Sequence, residues 1–160
     1  MSSPKIEFKW VNDELELWEI TQKLILEYTA SLGLDLSFQN FSEEIANLKE
    51  KYGRSQGSVL LVFVAGQPAG ILAFHRFQTN IGELKRLYLK PEFRGHGLGK
   101  QLLQQMLTRA QKMGYSFVRL DTLATMSSAQ KLYRQLGFYE ISPYVYNPIP
   151  GTKYFEIKLK

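Results

Sequence analysis

The sequence predicts a mixed α/β (α+β) fold: a mostly antiparallel central sheet of about seven strands flanked by four helices, in one domain spanning residues 1–160. Three observations predict it. Segments with the two-residue period of a half-buried strand alternate with segments that carry the apolar stripe of an amphipathic helix. The runs SVLLVFVA and AGILAFHRFQ face each other across Gly66-Gln67-Pro68 as a hairpin. From Ile81 to Leu123 the chain reads strand, glycine-rich turn, helix, strand, a right-handed crossover that makes its two strands parallel.

Taken in order, Ile6, Phe8 and Trp10 alternate with Lys5, Glu7 and Lys9, which predicts a first strand with one buried face. Asp13 and Glu16 have capping-box spacing, and Leu15, Trp18, Leu24, Ile25 and Tyr28 continue a helical stripe to Gly33. A second helix is expected to open at Asn40, carry Phe41, Ile45 and Leu48, and stop near Tyr52-Gly53, the two helices walling one side of a cleft with Phe38 and Phe41 in the core. SVLLVFVA, apolar throughout, suits a strand buried on both faces. IGELKRLYL is a strand whose centre holds Glu83, Lys85 and Arg86, ionisable groups that are costly in a central strand and fit either a cross-strand ion pair or the floor of a site. Leu98, Leu102, Leu103, Met106 and Ala110 form the next amphipathic helix, YSFVRLDTL the parallel strand, and Ser127 to Leu136 a helix stopped by Gly137. A short strand, Phe138 to Ile141, and YFEIKL complete the sheet around a loop rich in Pro and Tyr.

Composition removes several classes of function. With no cysteine, disulfides, thiolate metal sites and a cysteine nucleophile are excluded. No metal site is expected, because His75 lies alone within its strand without carboxylates or a second histidine at ligand spacing. No apolar run approaches a membrane span and MSSPKIEFKW has no signal-peptide core, so the expectation is a cytoplasmic protein without a membrane partner. The net charge of +5 is spread singly along the chain with no basic run among aromatics, and a polyanionic cofactor accounts for it without a nucleic acid.

The stretch LYLKPEFRGHGLGKQLL concentrates the chemistry. Pro91 ends a strand, Gly95, Gly97 and Gly99 let backbone amides converge, and the helix start leaves amides unpaired with a dipole that favours an anion. P-loop spacing is one residue longer than Gly95 to Gly99-Lys100 and ends in Ser or Thr where Gln101 stands, and the dinucleotide fingerprint G-x-G-x-x-G is not matched either.

What the residues match is Arg-x-x-Gly-x-Gly between a strand and a helix, followed about thirty residues on by SAQKLYRQLGF, similar to A-x-x-L-Y-x-x-L-G-F. In both motifs and in the order of its elements, essentially the whole chain resembles the GNAT family of N-acetyltransferases, and its tail looks like that of a bacterial subgroup of uncertain acceptor. The resemblance implies a sheet splayed at an acyl-CoA site and acetyl-CoA as cosubstrate. It places the pyrophosphate in the loop Arg94, Gly95, His96, Gly97, Leu98, Gly99 and Lys100, and the pantetheine arm along the main chain of Leu87, Tyr88 and Leu89. It implies that Tyr133 protonates the departing thiolate, and that main-chain N–H near Leu87 stabilises the tetrahedral intermediate. Glu83, eleven residues before Arg94, either deprotonates the acceptor amine or binds it electrostatically, with Lys85 on the same side lowering its basicity. Met126 stands where many relatives carry an Asn, so Ser127 or Ser128 would have to replace that contact to the pantetheine. Tyr144 and Tyr146 either meet the amine or are structural.

The expected function is transfer of an acetyl group to a primary amine of a small molecule or peptide by direct attack in a ternary complex; the alternative is a non-catalytic acyl-CoA-binding module. The acceptor and the oligomeric state, a homodimer included, stay open.

Overall fold

The computed structural model describes residues 3–34, 41–53 and 57–160. Seven strands form one sheet: β1 (Ile6–Trp10), β2 (Ser58–Val64), β3 (Gln67–Gln78), β4 (Ile81–Leu89), β5 (Phe117–Thr122), β6 (Tyr139–Ile141) and β7 (Lys153–Lys158), in the spatial order β1-β2-β3-β4-β5-β7-β6. Every neighbouring pair is antiparallel except β4 and β5. The helices are α1 (Leu15–Leu32), α2 (Phe41–Ala46), α3 (Leu48–Tyr52), α4 (Leu98–Lys112) and α5 (Ser127–Gln135).

Two apolar layers explain why β2 and β3 are hydrophobic on both sides. Val59, Leu61, Ile71 and Ala73 pack against Leu17, Trp18, Leu24 and Ile25 of α1 and Tyr52 of α3. On the other face Leu60, Val62, Leu72 and Phe74 meet Leu98, Leu102, Leu103 and Met106 of α4 and Tyr133 of α5. A strand covered by helices on both faces has no polar side to show, so its sequence loses the two-residue alternation.

Three local expectations are corrected. The first helix is not opened by an Asp13–Glu16 box: the Asn12 Oδ1 atom accepts the Glu14 N–H at 2.9 Å, an Asx turn that satisfies the donor one residue earlier. The predicted second helix is two short ones broken at Asn47, whose φ of −130° is not helical and whose side-chain amide donates to Glu43 O at 3.2 Å. Five α-helices therefore stand among the described residues where four were predicted. The predicted opening residue Asn40 and the predicted core residue Phe38 lie outside the described residues. The hairpin turns at Ala65 and Gly66, φ 50° and 79°, and Gln67 and Pro68 already belong to β3. Two consecutive left-handed residues make the tight turn that suits the strand twist.

Gly82 of β4 is where β4 meets the ring of Phe74, which lies against the position a Cβ would take. Phe74 is fully buried and edge-on to Tyr115, 5.1 Å between centroids, so the ring has nowhere to retreat. Gly82→Ala is expected to cost about 2 kcal/mol of stability through overpacking, measured by chemical denaturation, and Phe74→Leu in the same chain should recover part of that loss.

Candidate functional site

The sheet parts between β4 and β5. Their parallel pairing covers only Ile81–Glu83 against Phe117–Arg119, after which β4 stays with β3 and β5 with β7. The cause lies within β4. Ile71 pairs with Tyr88 and Ala73 with Lys85, so Leu72 faces two residues, Arg86 and Leu87. Such a bulge bends its strand and takes main-chain groups out of the regular ladder. Arg86 sits at φ 61°, a conformation that costs a branched-free but bulky side chain free energy. Its guanidinium is held by Glu44 of α2 through Nε–Oε2 at 3.0 Å and Nη2–Oε1 at 3.1 Å, and both side chains are buried. This two-point, charge-assisted contact fixes the bulge against the helix that packs over it.

The opening is a narrow cleft, partly open to solvent. Leu84, Lys85, Arg86 and Leu87 of β4 line one side, and Leu120, Asp121 and Thr122 of β5 the other. Tyr28 and Leu32 of α1, Met126, Ala129 and Tyr133 of α5, and Asn147 and Ile149 of the last loop close it.

At one end of the parted strands lies the glycine loop. Gly95 and Gly97 have φ of 84° and 77°, and nothing stands within 4 Å of a Cβ built on either, so the left-handed backbone rather than crowding requires glycine there. Gly97 caps α4, whose first turn bond runs from Gln101 N to Gly97 O, leaving the amides of Leu98, Gly99 and Lys100 without helical partners. His96 and Lys100 are exposed beside them. Open space, converging amides and flanking cations fit a diphosphate. Arg94 is also exposed, but its Nε donates to Leu89 O at 2.9 Å, so part of this side chain fastens the loop to the end of β4. Leu98 turns its side chain into the core, 2% exposed, and can offer a ligand only its main chain.

The remaining candidates divide. Leu87 lines the cleft. Tyr88 points to the other face, where its hydroxyl donates to Glu27 at 2.6 Å and its ring lies 5.5 Å from that of Tyr28, leaving only main-chain groups toward the parting. Met126 and Ala129 line the cleft, whereas Ser127 and Ser128 are exposed and do not. Tyr146 is 77% exposed and lies off the cleft. Tyr133 forms part of the wall, its ring 5.7 Å from Phe138 and 6.2 Å from Phe155. Burial first, then the charges of Tyr28 and Asp121, raise its pKa, so the hydroxyl stays a proton-carrying donor.

Glu83 is 3% exposed and stands behind Lys85 rather than on the cleft wall. His75, opposite it in β3, lies with Nε2 at 2.8 Å from Oε1. The Tyr144 hydroxyl donates to Oε2 at 2.6 Å, and Lys85 Nζ is 3.8 Å from Oε1. Burial by itself would raise the carboxyl pKa, but the His75 hydrogen bond, the Lys85 and His75 charges and the Tyr144 hydroxyl outweigh it and bring it down to about 2. Tyr144 is positioned by Phe77 and Tyr154, ring centroids at 5.0 and 5.5 Å, and by the Arg119 guanidinium 5.3 Å above its ring. Burial, then the Glu83 charge, keeps its hydroxyl protonated.

Sequence reasoning missed three participants. His75 is a lone histidine in its strand sequence, and the register with Glu83 gives it a partner. Glu44 pairs with Arg86 across 42 positions of sequence. Asp121 lines the cleft and accepts a hydrogen bond from Asn147 Nδ2 at 3.2 Å, while Asn147 Oδ1 takes the Ile149 N–H at 3.0 Å. The one available signal was position: Asp121 stands at the C-terminal end of a parallel strand, where α/β sheets gather ligands.

A family model described as the acetyltransferase (GNAT) family matches residues 18–138. The chain belongs to the GNAT acetyltransferase family. It is 40% identical over 138 residues to an uncharacterized N-acetyltransferase of Schizosaccharomyces pombe, covering 85% of both chains. It is 33% identical over 133 residues to the N-acetylaspartate synthetase of Danio rerio, covering 82% of this chain and 44% of that protein. Similarity at this level is thus not confined to bacterial proteins. Among solved structures, a GNAT-family acetyltransferase from Staphylococcus aureus superposes with TM-score 0.77 at 20% identity over 96% of this chain and 100% of the other. The PaiA N-acetyltransferase of Thermoplasma acidophilum, solved in complex with coenzyme A, gives TM-score 0.70 at 20% identity over 96% and 99%. As a GNAT protein the chain is an acetyl-CoA-dependent N-acetyltransferase. No helix among the described residues is long and apolar enough to cross a membrane, and those residues contain no group of three or more His, Asp or Glu able to hold a metal ion.

The buried carboxylates make stability depend on acid. Burial again opposes ionisation of Glu44, but Arg86 and Lys51 bring its pKa down to about 2 from an ordinary 4.5. Glu44 and Glu83 are both depressed, so their contribution is complete above pH about 4.5 and drains away as the pH falls toward about 2. Glu44→Gln, which removes the carboxylate charge facing a buried guanidinium, is expected to cost about 3 kcal/mol at neutral pH and to flatten the acid limb, read from guanidinium unfolding at a series of pH values.

Proposed function

We propose that the GNAT chain moves an acetyl group from acetyl-CoA directly onto the amine of a small molecule, with both substrates bound at once. The parting of β4 and β5 carries the reading, because it joins the diphosphate-shaped loop at Gly95–Gly97 to a cleft holding Tyr133, Lys85 and Asp121. The diphosphate sits on the amides that open α4, with the pantetheine arm beside the main chain of Leu87 to Leu89. No cysteine is available to carry an acyl-enzyme.

In the transfer, the amine nitrogen attacks the thioester carbonyl carbon; the C–N bond forms, the C–S bond breaks, and the sulfur takes the Tyr133 hydroxyl proton or shares it. Main-chain N–H groups around Leu87, displaced from the ladder by the bulge, face the developing oxyanion. The attacking amine must first lose a proton. A carboxyl with a pKa of about 2 is a poor acceptor for it, so Glu83 acts chiefly as a fixed negative charge that orients the His75 ring, and the amine gives its proton to water. The zebrafish relative is named for making N-acetylaspartate, the amide of a small amine, which supports a small-molecule acceptor.

Tyr133→Phe and Glu83→Gln are each expected to lower kcat by about 100-fold, with acetyl-CoA affinity by calorimetry held within a factor of about two. Unchanged turnover in Tyr133→Phe would remove that residue from the reaction, and absence of CoA binding by the wild-type chain would remove the proposal.

A further inference from the structure

Taking the acceptor to enter the cleft as proposed above, we infer that it is a free α-amino acid, bound as a zwitterion with its ammonium on Asp121 and its carboxylate on Lys85. The two side chains come from opposite sides of the parting, Lys85 from β4 and Asp121 from β5, and both line the cleft. Their side chains are only 13% and 11% exposed. Yet the contacts of Lys85 are loose: Nζ is 3.9 Å from Asp121 Oδ1 and 3.8 Å from Glu83 Oε1, beyond hydrogen-bond length. An ammonium has three protons to donate, and here neither ion pair uses one at full strength.

Asp121 is placed by its other oxygen. Oδ2 accepts from Asn147, which the Ile149 amide holds in turn, so Oδ1 is left with the distant Lys85 as its charged neighbour. The other charged groups nearby are committed: Arg86 to Glu44 by two hydrogen bonds, and Glu83 to His75 and Tyr144. Lys85 and Asp121 thus form an adjacent, nearly buried pair of opposite charges with hydrogen-bonding capacity to spare.

A ligand that carries opposite charges on one carbon complements such a pair, each of its groups gaining a charge-assisted hydrogen bond. An α-amino acid is that ligand. A diamine leaves Lys85 unmatched and adds positive charge beside it, and an amino-acid amide or a peptide N-terminus offers a neutral carbonyl where the carboxylate belongs. A site built around a buried polar group discriminates strongly against analogues that lack its partner. Tyr28, Leu32, Leu123 and Ile149 supply mostly apolar surface for the amino-acid side chain.

The test follows acetyl-CoA consumption with the common free amino acids, their α-amides and putrescine. The expected result is at least one free amino acid whose kcat/KM exceeds that of its amide by about 100-fold, with putrescine at background. Lys85→Met should bring that ratio close to one, while Lys85→Arg keeps a preference for the acid. Asp121→Asn should lower kcat/KM for the amino acid by about 30-fold, with acetyl-CoA affinity unchanged as the check on folding. Amides or putrescine accepted as well as the free acids, a ratio that survives in Lys85→Met, or acetyl-CoA binding without turnover of any amino acid would overturn the assignment. A wild-type chain that binds neither CoA nor acetyl-CoA would instead bring down the acetyl-transfer reading beneath it.

Discussion

β4 and β5 hold each other from Ile81 to Glu83 and then separate, and everything chemical in this molecule occupies the space they leave. A sheet does not open in its middle without a cause, since each lost ladder bond must be replaced or solvated. The cause here is one extra residue in β4, with Arg86 in the left-handed region. A non-glycine residue held there costs of order 1 kcal/mol, and the surroundings must hold it in place. The buried two-point contact to Glu44 does so, and it also ties α2 to the strand it covers. The same residue therefore shapes the backbone of the cleft and anchors its helical wall.

Charge around the cleft is arranged in layers. The outer pairs are closed: Glu44 with Arg86 and Lys51, Glu156 with Arg119 and Tyr139. Glu83 is closed too, with both oxygens engaged, which is why its pKa falls despite burial. Such a carboxylate is a stable electrostatic reference more than a mobile proton acceptor. Lys85 and Asp121, both on the wall itself, are opposite charges set close without hydrogen bonding each other.

The pattern of apolar and polar positions was enough for the seven strands and the parallel crossover, because burial on one or two faces writes its period directly into the chain. The glycine loop was equally legible: left-handed backbone at Gly95 and Gly97 and the helix start at Leu98 depend on neighbours a few residues away. The splitting of the second helix at Asn47 was not, since a capped break and a continuous helix differ by a small balance of local hydrogen bonds. Nor could spacing alone show that Ser127 and Ser128 face solvent while Met126 and Ala129 face the cleft.

Local sequence, then, determined the elements, their order, the anion-shaped loop and the presence of ionisable groups in a central strand. Tertiary structure alone decided which of those groups meet. His75 reaches Glu83 through cross-strand register, Glu44 reaches Arg86 across 42 positions, and Asn147 reaches Asp121 across 26. The reason is physical: period and capping are set by the nearest turns of the chain, whereas a charge's partner, burial and proton affinity are set by whatever the folded sheet and helices bring beside it.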